Sequence, residues 1–151
     1  MPLECTYTHT NIVAKDWRKL AAFYQEVFNC QPVPPERDLQ GEWLQRATGV
    51  ENAHLRGAHL RLPGCGEHGP TLEIFEYTTL AAESPRAVNQ PGLAHLAFAV
   101  KDVRAARAEV LAHGGSDLGE VVTVQVPGRG EICFVYMRDP EGNILELQRW
   151  G

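Results

Sequence analysis

The chain has 151 residues, a formal net charge of −5 and an apolar fraction of 44%, beside 22% charged residues. This is the composition of an ordinary soluble protein, long enough for one domain or for two small modules that share one. An acidic chain without a basic run is a poor candidate for binding nucleic acid or an anionic membrane, and no apolar stretch approaches the roughly 20 residues that span a bilayer.

The first half of the chain predicts one helix among several short strands. Apolar residues recur at helical spacing over residues 17–28, and Asp16 before them is a plausible N-cap for the free amides of the first turn. Three prolines predict an irregular segment at residues 31–38, because proline lacks the amide proton that regular structure uses. Strands are predicted at residues 5–13, 42–47, 53–62 and 71–77.

A polar segment with two prolines, residues 80–91, interrupts the pattern and is predicted to be a linker. The order of strand, helix and further strands then begins again. An alanine-rich helix is predicted over residues 103–113, with Gly114 and Gly115 closing its C-terminus, and residues 139–143 predict a tight turn. Strands are predicted at residues 93–100, 118–126, 131–137 and 143–149.

The two halves align at their first and last strands, which indicates an internal repeat. His9 and His95 each lie seven residues before an aspartate that precedes a predicted helix. Glu73 and Glu146 each stand between two aliphatic residues in the last strand of their half. We therefore predict an α+β fold of two βαβββ modules that together make one domain. The modules cover residues 1–79 and 92–151.

Strand parity predicts that these four polar side chains point away from the helices. Side chains alternate between the two faces of a strand. Beside His95, Leu96 and Phe98 belong to an apolar face that suits packing against the helix, so His95 belongs to the other face. The same relation to apolar neighbours holds for His9, Glu73 and Glu146. All four would then face the space that the sheets enclose.

Two histidines and two glutamates in such a place are a suitable ligand set for a divalent metal ion. A carboxylate turned inward is costly unless it is paired or bound to a cation, and two of them would also repel each other. Neutral imidazoles complete the coordination and leave positions open for water or substrate, as in catalytic sites. The predicted ligands of one Zn, Ni, Co, Mn or Fe ion are His9, Glu73, His95 and Glu146. The other histidines are interpreted as non-ligands: His54, His59, His68 and His113.

The cysteines and the first residues bear on the cellular compartment. Cys5, Cys30, Cys65 and Cys133 form no CxxC pair, which argues against a zinc ribbon or a thioredoxin-like motif. Residues 1–7 show neither the basic nor the apolar region of a secretory signal. We expect reduced thiols and a cytoplasmic location.

Five stretches carry a resemblance to a known family. They are HTNIVAKDWRKLAAFYQEVF (9–28), LRLPG (60–64), TLEIFEY (71–77), PGLAHLAFAVKDV (91–103) and FVYMRDPEGNILELQ (134–148). In these stretches the chain resembles the vicinal oxygen chelate superfamily, also called glyoxalase/bleomycin resistance/dioxygenase. The resemblance implies paired βαβββ modules forming a cupped mixed sheet around a metal. It also implies a small-molecule substrate and favours a homodimer.

Members of that superfamily differ in activity, and the resemblance discriminates among them in part. His9, Glu73, His95 and Glu146 match the four ligand positions of its metal-dependent lyases and epimerases. This argues against the metal-free drug binders, and Glu73 as a fourth ligand counts mildly against the extradiol dioxygenases. Val13 and Tyr77 stand where lactoylglutathione lyases commonly carry an arginine and an asparagine, which argues against glutathione as the substrate.

The resemblance implies a glyoxalase-like lyase or isomerase that acts on a small oxygen-chelating substrate through an enolate or enediolate. Glu146 or Glu73 would take the proton from the carbon beside a carbonyl, with Glu146 preferred. Arg61 and Arg129 could meet an anionic group, but are interpreted as solvated surface residues. Two alternatives stay open: a binding protein of the bleomycin resistance type and an Fe(II) dioxygenase of the extradiol type.

Overall fold

The computed structural model describes all 151 residues and divides into two compact units, Met1–Ala82 and Glu83–Gly151. The division falls within the segment predicted to be a linker. Each unit contains a mixed sheet with a helix against one face, in a βαβββ-like order. The predicted class, α+β with two such modules, is confirmed. No helix is long and apolar enough to cross a membrane.

The first unit builds a four-stranded sheet in the order β1-β4-β3-β2. Strands β1 and β4 run parallel, and the other neighbours are antiparallel. Its elements are β1 His9–Val13, α1 Trp17–Phe28, β2 Gln31–Gln40, α2 Glu42–Thr48, β3 His54–Arg61 and β4 Thr71–Tyr77. The first and last strands of the module are therefore adjacent in the sheet, which brings the two ends of the sequence repeat together.

The second unit repeats this arrangement with the order β5-β9-β8-β6, while β7 also pairs with β8. Its first and last strands, β5 and β9, are again parallel neighbours. Its elements are β5 His95–Ala99, α3 Val103–Ala112, β6 Ser116–Asp117, β7 Val122–Val126, β8 Gly130–Arg138 and β9 Ile144–Trp150. The strand predicted at residues 118–126 begins later than expected, because β7 starts at Val122. Residues 116–117 form a separate short strand, β6, which also pairs with β8.

Helix α1 begins and packs as its sequence predicts. The Asp16 carboxylate accepts a hydrogen bond from the amide of Lys19 at 3.0 Å, which satisfies one free donor of the first turn. The helix packs on β3 and β4, and its buried side includes Leu20 and Tyr24. Leu60, Leu72 and Ile74 are fully buried on those two strands. The opposite face of the sheet, which carries the predicted ligands, is therefore not covered by α1.

Two predictions for the segment between α1 and β3 are wrong. Residues 31–38, predicted to be irregular, belong to strand β2, which pairs only with β3 and is interrupted between Val33 and Arg37. An edge strand tolerates proline because only one of its sides needs backbone donors. Residues 42–47, predicted to be a strand, belong to α2, whose Leu44 packs against Leu55 and Phe75. A short apolar run does not distinguish the two structures.

All four cysteines are free, and they differ in accessibility. Cys5 and Cys65 are exposed, whereas Cys30 is fully buried, and burial raises the pKa of its thiol to about 11. Because the thiolate is the reactive form, we expect Cys30 to react with DTNB at pH 8 at least about 100-fold more slowly than the exposed pair. A Cys30→Ala variant should keep the fast phase unchanged. Loss of fast-reacting thiol in that variant would contradict the expectation.

Candidate metal centre

The register of β1, β4 and β3 places one row of polar side chains across the uncovered face of the first sheet. Asn11 on β1 lies opposite Glu73 on β4, and Glu73 lies opposite His59 on β3. Residues opposite each other in a sheet share a face. The adjacent row contains His9, which has the same strand parity as Asn11. Strands β1 and β3 thus direct two imidazoles and a carboxamide toward one carboxylate on β4, the strand between them.

Glu73 is the centre of this cluster. It is only 9% exposed, and its Oε2 lies 2.7 Å from His59 Nε2. Its Oε1 accepts a hydrogen bond from Asn11 Nδ2 at 2.9 Å and lies 3.7 Å from His9 Nε2. One ligand atom from each of His9, His59 and Glu73 can be chosen so that all lie within 4.8 Å of one another. We call these three residues the His/His/Glu group.

The ring of His59 is held in place from its far side. Its Nδ1 lies 2.9 Å from Thr71 Oγ1, so Nε2 is the nitrogen turned toward Glu73. Burial lowers the pKa of His59, Glu73 opposes that shift, and the charges of Arg37 and His9 lower it further. The lowered pKa keeps the imidazole neutral at pH 7, which is the form that binds a metal ion.

His59 is interpreted from the sequence as a non-ligand, whereas the structure places it in the His/His/Glu group, which could hold a metal ion. The other histidine of β3, His54, lies on the opposite face and pairs with Asp38 at 2.6 Å. A signal for His59 was present in the repeat: the segment HLRLPG (59–64) is similar to YMRDPEG (136–142). That similarity pairs His59 with Tyr136 and marks both as corresponding positions of the two modules.

The second module holds a related but different cluster. His95 Nε2 lies 3.2 Å from Glu146 Oε2, and Glu146 is 9% exposed. Tyr136 lies opposite Glu146 in the sheet, and its ring centroid is 5.2 Å from that of His95. Burial raises the pKa of Tyr136, and the nearby Glu146 raises it further. The phenol therefore stays protonated at neutral pH and can serve as a hydrogen-bond donor.

The structure thus brings the four sequence-predicted residues together in two pairs. His9 meets Glu73 in the first module, and His95 meets Glu146 in the second. Only the first pair gains a further imidazole, because the position of His59 is occupied by Tyr136 in the second module. The two modules therefore repeat one backbone but carry different chemistry.

The donors of the His/His/Glu group fit a divalent metal ion. Two imidazole nitrogens and one carboxylate are the ligand types that suit Zn, Mn, Fe, Co and Ni. The nearly buried Glu73 carboxylate forms no salt bridge with a lysine or arginine, so a cation would balance its charge. Asn11 and Thr71 hold the carboxylate and the His59 ring from outside, as partners of metal ligands commonly do.

Solved structures of similar fold align with nearly the whole chain. A glyoxalase family protein from Bacillus cereus aligns with a TM-score of 0.80 and 22% identity, over 99% of this chain and 96% of that one. The genomically encoded fosfomycin resistance protein FosX from Listeria monocytogenes, in complex with Mn(II) and sulfate, gives a TM-score of 0.56 and 17% identity over 99% and 95% of the two chains. A domain from Frankia sp. EAN1pec gives a TM-score of 0.58 and 18% identity over 99% and 94%. Such identities show the fold alone.

Sequence comparison with a family model shows more. No curated protein sequence matches the chain significantly. The model of the Glyoxalase/Bleomycin resistance protein/Dioxygenase superfamily, however, matches residues 6–147. This range spans most of both modules and includes every predicted ligand, and the match confirms the resemblance seen in the sequence. The chain belongs to the glyoxalase/bleomycin resistance protein/dioxygenase superfamily.

Proposed function

We propose that the chain is a metal-dependent lyase or isomerase that acts on a small oxygen-chelating substrate through an enolate or enediolate. The observation that carries the proposal is the His/His/Glu group, whose ligand atoms lie within 4.8 Å of one another. The FosX relative, crystallised with Mn(II), supports it as a member of the same fold that binds a metal. The proposal also includes a cytoplasmic location and a homodimer, which both stay predictions.

The residues that would hold the metal are His9, His59 and Glu73. His95 and Glu146, which pair with each other at 3.2 Å, stay predicted ligands of the same ion. When bound, the ion would act as a Lewis acid that stabilises negative charge on a substrate oxygen.

In the proposed reaction, Glu146 is the general base that takes the proton from the substrate. Both oxygens of Glu73 are engaged, one by Asn11 and the other by His59. Glu146, in contrast, pairs with His95 through Oε2, and its Oε1 would take the proton from a substrate carbon. Tyr136, protonated and opposite Glu146, can donate a hydrogen bond to a substrate oxygen. This division of roles supports the preference for Glu146 over Glu73 as the base.

Metal content tests the proposal first. Protein purified without chelators should contain about one divalent ion per chain by elemental analysis, since imidazole and carboxylate ligands of this kind retain metal at neutral pH. His59→Ala should lose the ion if the His/His/Glu group binds it, and His95→Ala should lose it if the predicted four-residue set does. His68→Ala, in an exposed loop, is the matched control and should keep full occupancy. Absence of metal after incubation of the wild type with Zn, Mn or Fe(II) would leave a metal-free binding protein as the better account.

One observation favours a second candidate, an Fe(II) dioxygenase of the extradiol type. Two histidines and one carboxylate are the ligand set of non-haem Fe(II) oxygenases, and the His/His/Glu group has this composition. Oxygen uptake by the Fe(II)-loaded protein with catechols would support this alternative. Absence of uptake, together with exchange of an acidic substrate C–H in heavy water, would support the lyase or isomerase.

A further inference from the structure

Arg61 is a half-buried arginine beside the His/His/Glu group. It follows His59 by two residues on β3 and therefore shares its face of the sheet. In the sheet it lies opposite Thr71, which in turn lies opposite His9. Arg61 and His9 thus belong to one row of side chains, with one strand between them.

The Nε of Arg61 is buried and has no hydrogen-bond partner. Other arginines of the chain have partners: Arg18 pairs with Glu36, Arg56 with Asp38, Arg107 with Asp117, and Arg138 donates to two backbone carbonyls. A buried donor of a charged group that lacks a partner is costly, so such a group calls for an explanation. An acceptor supplied by a bound ligand would remove the cost.

A second guanidinium lies on the other side of His59. Arg37 on β2 lies opposite Gly57, the residue two positions before His59 on β3. The positive charge of Arg37 lowers the pKa of His59. Gly57 has no room for a side chain, since an added Cβ would lie 2.6 Å from a ring carbon of Phe75. Two positive charges therefore flank the His/His/Glu group along the sheet.

We infer that Arg61 binds an anionic oxygen group of the substrate, a carboxylate or a phosphonate, next to the His/His/Glu group, and that the charge of Arg37 on the other side of His59 strengthens this binding. The inference rests on the proposed function, because it assigns the class of substrate that the same site accepts. A guanidinium suits this role because its planar donors meet two oxygens of such a group at once. The anionic group would satisfy Arg61 Nε and fix the rest of the substrate relative to the His/His/Glu group.

The test uses acetate and methylphosphonate as probes and follows the Arg Nε–H signals by ¹H–¹⁵N NMR in Zn-loaded and in metal-free protein. The Arg61 signal, assigned by its loss in Arg61→Lys, should shift on titration with at least one probe. Arg61→Gln should weaken that binding about tenfold, as expected for loss of a charge-assisted hydrogen bond. Arg56→Gln is the matched control, because it removes the same charge from the opposite face of the same strand. Its affinity should be unchanged.

Zn affinity, measured separately in each variant, keeps this inference distinct from the proposed function. Loss of anion binding in Arg61→Gln with Zn affinity retained would support the inference. The probe that the wild type binds more tightly would then indicate whether the substrate carries a carboxylate or a phosphonate. Arg37→Gln, on the edge strand, gives a second measure if Arg61→Gln does not fold, and it should also weaken binding. Equal affinity of wild type and Arg61→Gln for both probes would overturn the inference. A wild type that binds no Zn would defeat the proposed function, and the metal-free titration would still decide the role of Arg61.

Discussion

Glu73→Ala should lower the affinity of the protein for Zn or Mn by at least about 100-fold, since even outer partners of metal ligands cost 10- to 100-fold when they are removed. Glu73 is the one carboxylate common to the His/His/Glu group and to the ligand set predicted from the sequence, and His9 is the one imidazole common to both. The Glu73 carboxylate also supplies the negative charge that the two imidazoles lack. The measurement is competition for the ion with a chromogenic chelator at pH 7.5.

Glu131→Ala is the control for that experiment. Glu131 is an exposed carboxylate on β8 that accepts a hydrogen bond from Gln125 at 3.1 Å, so its removal should leave metal affinity unchanged. Circular dichroism should show that both variants are folded. A folded Glu73→Ala protein that keeps wild-type affinity would contradict both proposed ligand sets, and the buried carboxylate would then need a structural explanation.

Glu146→Gln should slow exchange of an acidic substrate C–H in heavy water by about 10²- to 10⁴-fold, the range by which a positioned general base accelerates a reaction. The substitution keeps the shape of the side chain but removes the group that accepts the proton. The substrate for this measurement is the compound, from a panel of small α-hydroxy carbonyl compounds and carboxylic acids, that the wild type exchanges fastest. Exchange is followed by loss of the substrate C–H signal in NMR.

Metal content has to be measured in the same Glu146→Gln sample, because Glu146 is also a predicted ligand. Slow exchange with metal retained would assign the base to Glu146. Full exchange with metal retained would rule Glu146 out, and Glu73 would become the candidate. Tyr136→Phe offers a comparison in the same module: it removes the proposed hydrogen-bond donor but not the base, so its exchange should fall less than that of Glu146→Gln.

Much of the fold follows from local patterns in the sequence. The bounds of α1 and the role of Asp16 agree with the prediction because capping and helical spacing act within a few residues. The repeat was visible because each module begins with a strand-borne histidine and ends with a strand-borne glutamate. Strand parity predicts which side chains face away from the helix of each module, and the pairs His9–Glu73 and His95–Glu146 agree with it.

The errors lie where the surroundings of a segment decide its structure. The proline-rich residues 31–38 form a strand because that strand lies at the edge of its sheet, and an edge position cannot be read from local sequence. Residues 42–47 form part of a helix because Leu44 finds a partner in Phe75, which is distant in sequence. In both segments the local pattern was too short to decide.

The sequence by itself determined the family, the two modules and four of the polar residues that face away from the helices. Tertiary structure alone decided that His59 lies opposite Glu73 and that Arg61 lies in the row of His9. The physical reason is register: β3 and β4 are joined by a loop, and a shift of one residue in their pairing would turn His59 and Arg61 to the other face. Packing of both strands against α1 fixes that register, and with it the composition of the site.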